Sequence, residues 1–138
     1  MAKVIIKNLQ TKLAVSPTKI KRTVLKALSA RGAKRAGEIT VCFVNDKEIR
    51  RINAKYLKEN KPTDVIAFNL GETADIVVST DTAIRQAKIF KTSAIYELYL
   101  YVVHGVLHIS GYDDKTLKER NSMNAKAALI LKSLNVYP

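Results

Sequence analysis

Residues 94–109, AIYELYLYVVHGVLHI, constrain the fold more than any other stretch. They are apolar nearly all round, broken only by Glu97, Gly105 and the two histidines. Ser93 is a natural N-cap in front of them, and Gly111 ends the run. A helix that is hydrophobic on every side has to be buried, so this one is expected at the centre of the molecule. A membrane span needs about 20 apolar residues, and this run is shorter and carries three polar side chains. The rest of the chain must therefore wrap it.

The remaining elements follow from pattern and punctuation. A short strand is expected over 4–7. Ser16 and Pro17 read as N-cap and first helical residue, with Ile20, Val24, Ala27 and Leu28 at helical spacing and Gly32 as the stop. Residues 38–44 alternate like a strand, and Asp46 is placed to cap a helix whose inner stripe is Ile49, Ile52 and Tyr56. After Lys61-Pro62, residues 63–69 and 75–79 read as two strands around a turn at Gly71. Thr80 or Asp81 opens a helix, the apolar helix comes next, and a last helix covers about 115–134. The order β α β α β β α α α predicts an α+β fold in one domain, residues 1–138. A sheet of about four strands packs against about five helices, with the apolar helix central.

The charge is lopsided. The chain has a formal charge of +12 over 138 residues. Residues 1–60 hold 15 lysines and arginines against 4 acids, and residues 61–138 hold 9 against 8. A basic face of this size favours a polyanionic partner. The single cysteine, Cys42, excludes an internal disulfide, and its apolar neighbours mark it as a small buried hydrophobe rather than a reactive thiol. The opening MAKVIIKNLQ lacks the layout of a signal peptide, and a cytoplasmic location without membrane attachment is expected.

The chemistry lies in residues 104–114, HGVLHISGYDD. The chain's two histidines, His104 and His108, are four residues apart and share one helix face. Both imidazoles can then point at one ion. Gly111 lets the chain turn sharply, and Asp113 or Asp114 can swing back as a third ligand or cap the last helix. Two imidazoles and one carboxylate leave positions open for water or substrate. Gly105 inside a helix costs roughly 1 kcal/mol relative to alanine, so close approach of another element is expected there. Gly105 also occupies the glutamate position of the HExxH peptidase motif, which argues against a zinc peptidase.

This segment resembles the hallmark H-G-x-L-H-x-x-G-Y-D-H of the YbeY-type bacterial endoribonucleases, the rRNA maturation factors. Residues 50–70, RRINAKYLKENKPTDVIAFNL, and 74–87, ADIVVSTDTAIRQA, are similar to two further family segments, and Glu97 precedes the histidines as it does there. The resemblance runs from about Glu38 onward. It implies one divalent metal ion, usually zinc, no small-molecule cofactor, and cleavage of RNA in 16S rRNA 3′-end processing and ribosome quality control. Its partners would be rRNA and the ribosomal particle. Carried over by position, the metal ligands are His104, His108 and Asp114. The family has a histidine where this chain has Asp114, and commonly an arginine where it has Leu57. Lys55, Lys58, Lys61, Arg50 and Arg51 are the cations expected to hold RNA in its place, with arginine the better match to phosphate. Asp64, Asp75 and Glu97 are candidates to orient a ligand histidine from behind. A non-catalytic RNA-binding assembly factor that keeps the fold is the alternative, favoured by Leu57 and Asp114.

Overall fold

A computed structural model describes residues 2–30 and 37–138. The expected helix stop at Gly32 and the basic residues Arg31, Lys34 and Arg35 lie outside the described residues. The described residues form four strands and five helices. They are β1 (Lys3–Asn8), α1 (Pro17–Ser29), β2 (Glu38–Val44), α2 (Asp46–Leu57), β3 (Val65–Asn69), β4 (Thr73–Ser79), α3 (Thr80–Phe90), α4 (Ala94–Ile109) and α5 (Leu117–Ser133). The fold is α+β, as the order of elements predicts.

The strands form one sheet in the order β1-β2-β4-β3. β1, β2 and β4 run parallel, and β3 pairs antiparallel with β4 through the turn at Gly71, whose φ of 92° suits glycine. One face carries Val4, Ile39, Val41, Phe43, Ala74, Ile76 and Val78 into the main core, where they meet α1, α4 and α5. The other face carries Val44, Ile66 and Val77 against Ile49 and Ile52 of α2, with Cys42 and Phe68 at the edges of that smaller cluster. Cys42 is half-buried, and burial pushes its thiol above the ordinary value, so it is no activated nucleophile.

α4 is the central helix. It contacts β3, β4, α1, α3 and α5, and Leu98, Val102, Val103, Val106 and Leu107 are fully enclosed. Its depth depends on Gly105. A Cβ at that position would sit 2.7 Å from the Cγ2 of Ile76 on β4. A side chain there would force Ile76 to shift, which accounts for a helix-interior glycine that local propensity opposes.

Two local expectations are corrected. Asn45, not Asp46, caps α2, with its side chain accepting from the Glu48 N–H at 2.9 Å. The Asp46 carboxylate instead accepts from the Ser79 and Thr82 hydroxyls and pairs with Arg85, tying α2 to α3. Tyr56 is not part of the inner stripe of α2. It is 57% exposed, while Asn53 is buried and donates to the Lys61 carbonyl at 3.0 Å. A polar residue occupies the inward position because it ties down the following loop.

The close approach at Gly105 yields a stability prediction. Gly105→Ala adds helix propensity worth about 1 kcal/mol, but overpacking against a β-branched side chain costs about 1–3 kcal/mol. The variant should therefore melt lower than the parent in thermal denaturation. An equal or higher midpoint would show that Ile76 yields at little cost.

Candidate active site

His104 and His108 project from the last two turns of α4 into one cavity of about 380 Å3. The segment before β3 contributes Asp64, the loop after α4 contributes Asp114, and α5 contributes Arg120 and Asn124. The loop reaches the site because α4 ends in a tight reversal. Gly111 takes a φ of 102°, its N–H bonds to the His108 carbonyl at 3.0 Å, and the Tyr112 N–H bonds to the Leu107 carbonyl at 2.9 Å. This two-bond closure is the Schellman motif, and it sends residues 112–114 back toward the helix end. Neither aspartate caps α5. Thr116 does so in a reciprocal capping box with Glu119.

The two acids then diverge in role. Asp113 accepts from the Asp114 N–H at 2.8 Å and lies 3.9 Å from the Lys115 ammonium, so it serves its own loop. The Asp114 carboxylate faces the helix, with Oδ2 3.3 Å from His108 Nε2. His104 is deeper, and its Nε2 is buried without a hydrogen-bond partner. Leaving such a polar atom unpaired costs about 1–3 kcal/mol, so it marks a place where a ligand would restore the missing interaction. Burial pushes the His104 imidazole below its ordinary value. The His108 charge adds to this, and Asp64, Asn124 and Asp114 pull the other way. His104 is thereby held neutral, the form that ligates a metal.

The donor types suit a divalent ion: two neutral imidazole nitrogens and one carboxylate. The three are not drawn into a closed set. Among the described residues, no group of three His, Cys, Asp or Glu side chains is close enough to enclose an ion. Asp114 is exposed on its loop, so the third donor is the one that stands open.

Other expected site residues are placed differently. Asp75 pairs with Thr40 and Phe68 in the sheet and points to the face opposite Ile76, the residue that meets α4. It is exposed and away from the histidines, because the alternation of a strand puts neighbours on opposite faces. Glu97 is on the histidine side. It is 3% exposed and lines a second cavity together with His104, Asp64 and Tyr101, but its carboxylate accepts from the Thr92 hydroxyl at 2.9 Å rather than from a histidine. The Tyr101 hydroxyl is likewise buried, with Glu97 as its polar neighbour, and burial beside the Glu97 and Asp64 charges pushes its pKa up.

The expected RNA-binding cations lie on α2 and the loop after it. Arg50 donates to Asn60 at 2.9 Å, Arg51 pairs with Glu48, and Lys55 sits 5.1 Å over the Tyr56 ring. Lys58 closes the helix in the left-handed conformation, and Lys61 offers its carbonyl to Asn53. None of these five lines the three cavities around the histidines. Leu57 does, walling a neighbouring cavity of about 380 Å3 with His108, Val65 and Ala67. Arg120 and Asn124 went unremarked in the sequence. Their only signal was helical spacing on α5, which says nothing of which neighbour they face.

With this geometry in hand, known proteins place the chain. The family described as Endoribonuclease YbeY matches residues 5–135. The chain belongs to that family. A protein named Endoribonuclease YbeY from Syntrophus aciditrophicus is 37% identical over 96% of this chain and 90% of its own length. Another of that name, from Aquifex aeolicus, is 40% identical over 74% of this chain and 72% of its own. The solution structure of a Thermotoga maritima protein aligns with a TM-score of 0.67 at 20% identity, covering 96% of this chain and 91% of that one, so the two share a fold. No helix among the described residues is long and apolar enough to cross a membrane.

The buried histidine has a measurable consequence. In chelator-treated protein, His104 should titrate by NMR below the ordinary value of about 6.5. As pH falls through that value the unfolded chain takes up a proton that folded His104 refuses, so stability should decline below about pH 6.5. A His104 midpoint at or above 6.5 would mean that the ring is solvated.

Proposed function

We propose that the protein is a metal-dependent endoribonuclease acting in rRNA maturation, at the 3′ end of 16S rRNA, and in ribosome quality control, with zinc as the ion. The observation that carries this reading is the unpartnered, buried Nε2 of His104 facing the same cavity as His108 and Asp114. Membership of the YbeY family supports RNA as the substrate class, since the curated relatives are named endoribonucleases.

In this reading His104, His108 and Asp114 hold the ion, and Asp114 completes the set from its loop. When bound, such an ion supplies Lewis-acid chemistry at a phosphoryl oxygen. The protein's own contributions are more specific. Burial keeps His104 neutral and ready to donate its lone pair. Asp64 lines the cavity beside it, with its Oδ1 held by the Val65 N–H at 2.7 Å. That fixed carboxylate favours a positive ion in the pocket through its charge. Asp114 in place of a third imidazole brings a negative charge, which lowers the acidity that a bound water gains. The basic first sixty residues attract RNA at longer range, an effect that weakens with salt.

The alternative is an RNA-binding assembly factor without catalysis. The open third donor and the apolar Leu57 beside His108 favour it.

Elemental analysis of purified protein, joined to cleavage of an rRNA fragment with and without chelator, separates the two. A metal-dependent nuclease should hold about one zinc per chain, lose cleavage in chelator, and regain it with added zinc. His104→Ala and Asp114→Ala should each weaken metal binding by more than the roughly 10–100-fold that loss of an outer partner costs. A metal-free protein that binds but does not cut RNA supports the assembly factor. Cleavage that survives both substitutions belongs to a contaminant.

A further inference from the structure

The cleft around the histidines is poor in positive charge, although the chain as a whole is rich in it. Among the described residues that line the three cavities bordering His104 and His108, Arg120 is the one lysine or arginine. Three of the lining groups, Asp64, Glu97 and Asp114, are carboxylates that repel a phosphate, and Leu57 at the far wall is apolar and 49% exposed. Without a bound ion, a polyanion steered in by the basic first half of the chain would therefore meet a locally acidic site, and these carboxylates would offset much of the charge of a divalent ion held there. The polyanion needs a cation at close range to settle there, because like charges in a partly enclosed cavity are weakly screened.

Arg120 is positioned for that task. It lies in the first turn of α5, anchored by its own N–H to the Thr116 carbonyl at 2.9 Å. The residue is exposed, and among the described residues its guanidinium makes one long hydrogen bond, from Nη1 to the Asp114 carbonyl at 3.4 Å. A guanidinium has five N–H donors in a planar fork that matches two oxygens of a phosphate. The contact to the Asp114 carbonyl also ties this fork to the loop whose carboxylate faces His108, in a cavity that both residues line. A phosphate held by Arg120 is thus delivered to the histidine end of the cavity.

We infer that Arg120 is the side chain that grips the RNA phosphodiester in this cleft. The cations of α2 line none of these cavities, and Arg51, Arg50 and Lys55 among them contact Glu48, Asn60 and Tyr56 instead. The inference rests on the endoribonuclease reading for its ligand, and it names a substrate contact from the second half of the chain, where charge is nearly balanced.

The test uses a labelled single-stranded RNA oligonucleotide and the full-length protein in chelator, so that binding is read without cleavage. Affinity is measured over a range of KCl for the parent, Arg120→Gln, Arg120→Lys and, as a charge-matched control, Lys118→Gln. Arg120→Gln should bind at least about tenfold more weakly, and its slope of log affinity against log salt should be shallower by about 0.7, the release expected for one single-strand phosphate contact. Arg120→Lys should keep most of the slope and lose part of the affinity, since the charge remains and the fork is gone. Lys118→Gln should change both far less. Equal losses in Arg120→Gln and Lys118→Gln would reduce Arg120 to general attraction and overturn the inference.

Zinc is then restored and cleavage is followed. Arg120→Gln should lower kcat/KM, and Arg120→Ala should recover part of it when free guanidinium ion is added. A merely structural tether of the Asp114 loop would change zinc content and leave the salt slope in place. If the parent binds RNA through Arg120 but never cuts it, the enzyme reading fails and this inference stands. If the parent cuts RNA and the Arg120 variants match it, this inference alone fails.

Discussion

The close approach of α4 to β4 at Gly105 organises the rest of the molecule. With no side chain between them, the helix lies on Ile76, and the rotation of α4 about its axis is set by that contact. Once the face around Gly105 is committed to the sheet, His104 and His108 are directed to the margin where β3, the 112–114 loop and α5 converge. The core on one side of the helix and the site on the other are two results of one packing decision. A bulkier residue at 105 would displace the histidines as well as loosen the core.

The site is also shaped by what burial does to charge. His104 is deep enough that its protonated form is disfavoured and its Nε2 has no partner within the protein. A protein seldom leaves such an atom unpaired, and the cost is the reason to assign it a ligand. Asp114 differs in being exposed on a loop, with its carboxylate 3.3 Å from His108 Nε2 and its carbonyl accepting from Arg120 at 3.4 Å. One donor is therefore preorganised and one is adjustable. In the proposed metal site, that division would suit an ion that enters from the open side of the cavity.

The electrostatics of the whole chain and of the cleft have opposite sign. Positive charge is concentrated in the first sixty residues, while the cavity walls hold three carboxylates and an apolar leucine. Long-range attraction and local recognition are thus carried by different parts of the fold. The first draws a polyanion toward the surface, and the second depends on a single guanidinium from α5. The chain belongs to the YbeY family, and its acid at position 114 and its leucine at 57 both line cavities shared with His108.

The sequence by itself determined a good deal. Hydrophobic period and punctuation placed all nine elements, helped by Ser16 and Ser93, which satisfy helix N–H groups locally, and by Gly71 and Gly111 at the turns. Spacing of four put the two histidines on one helix face, and their neighbours carried the family resemblance. Only the tertiary structure decided which residues meet from distant segments. It moved Asp75 to the far side of the sheet, turned Tyr56 outward in favour of Asn53, gave the α5 cap to Thr116, and brought Arg120 beside Asp114. The physical reason is that helix and strand periods fix the direction of a side chain relative to its own element. Which element lies in that direction is fixed by packing, here by how deeply α4 sinks onto Ile76.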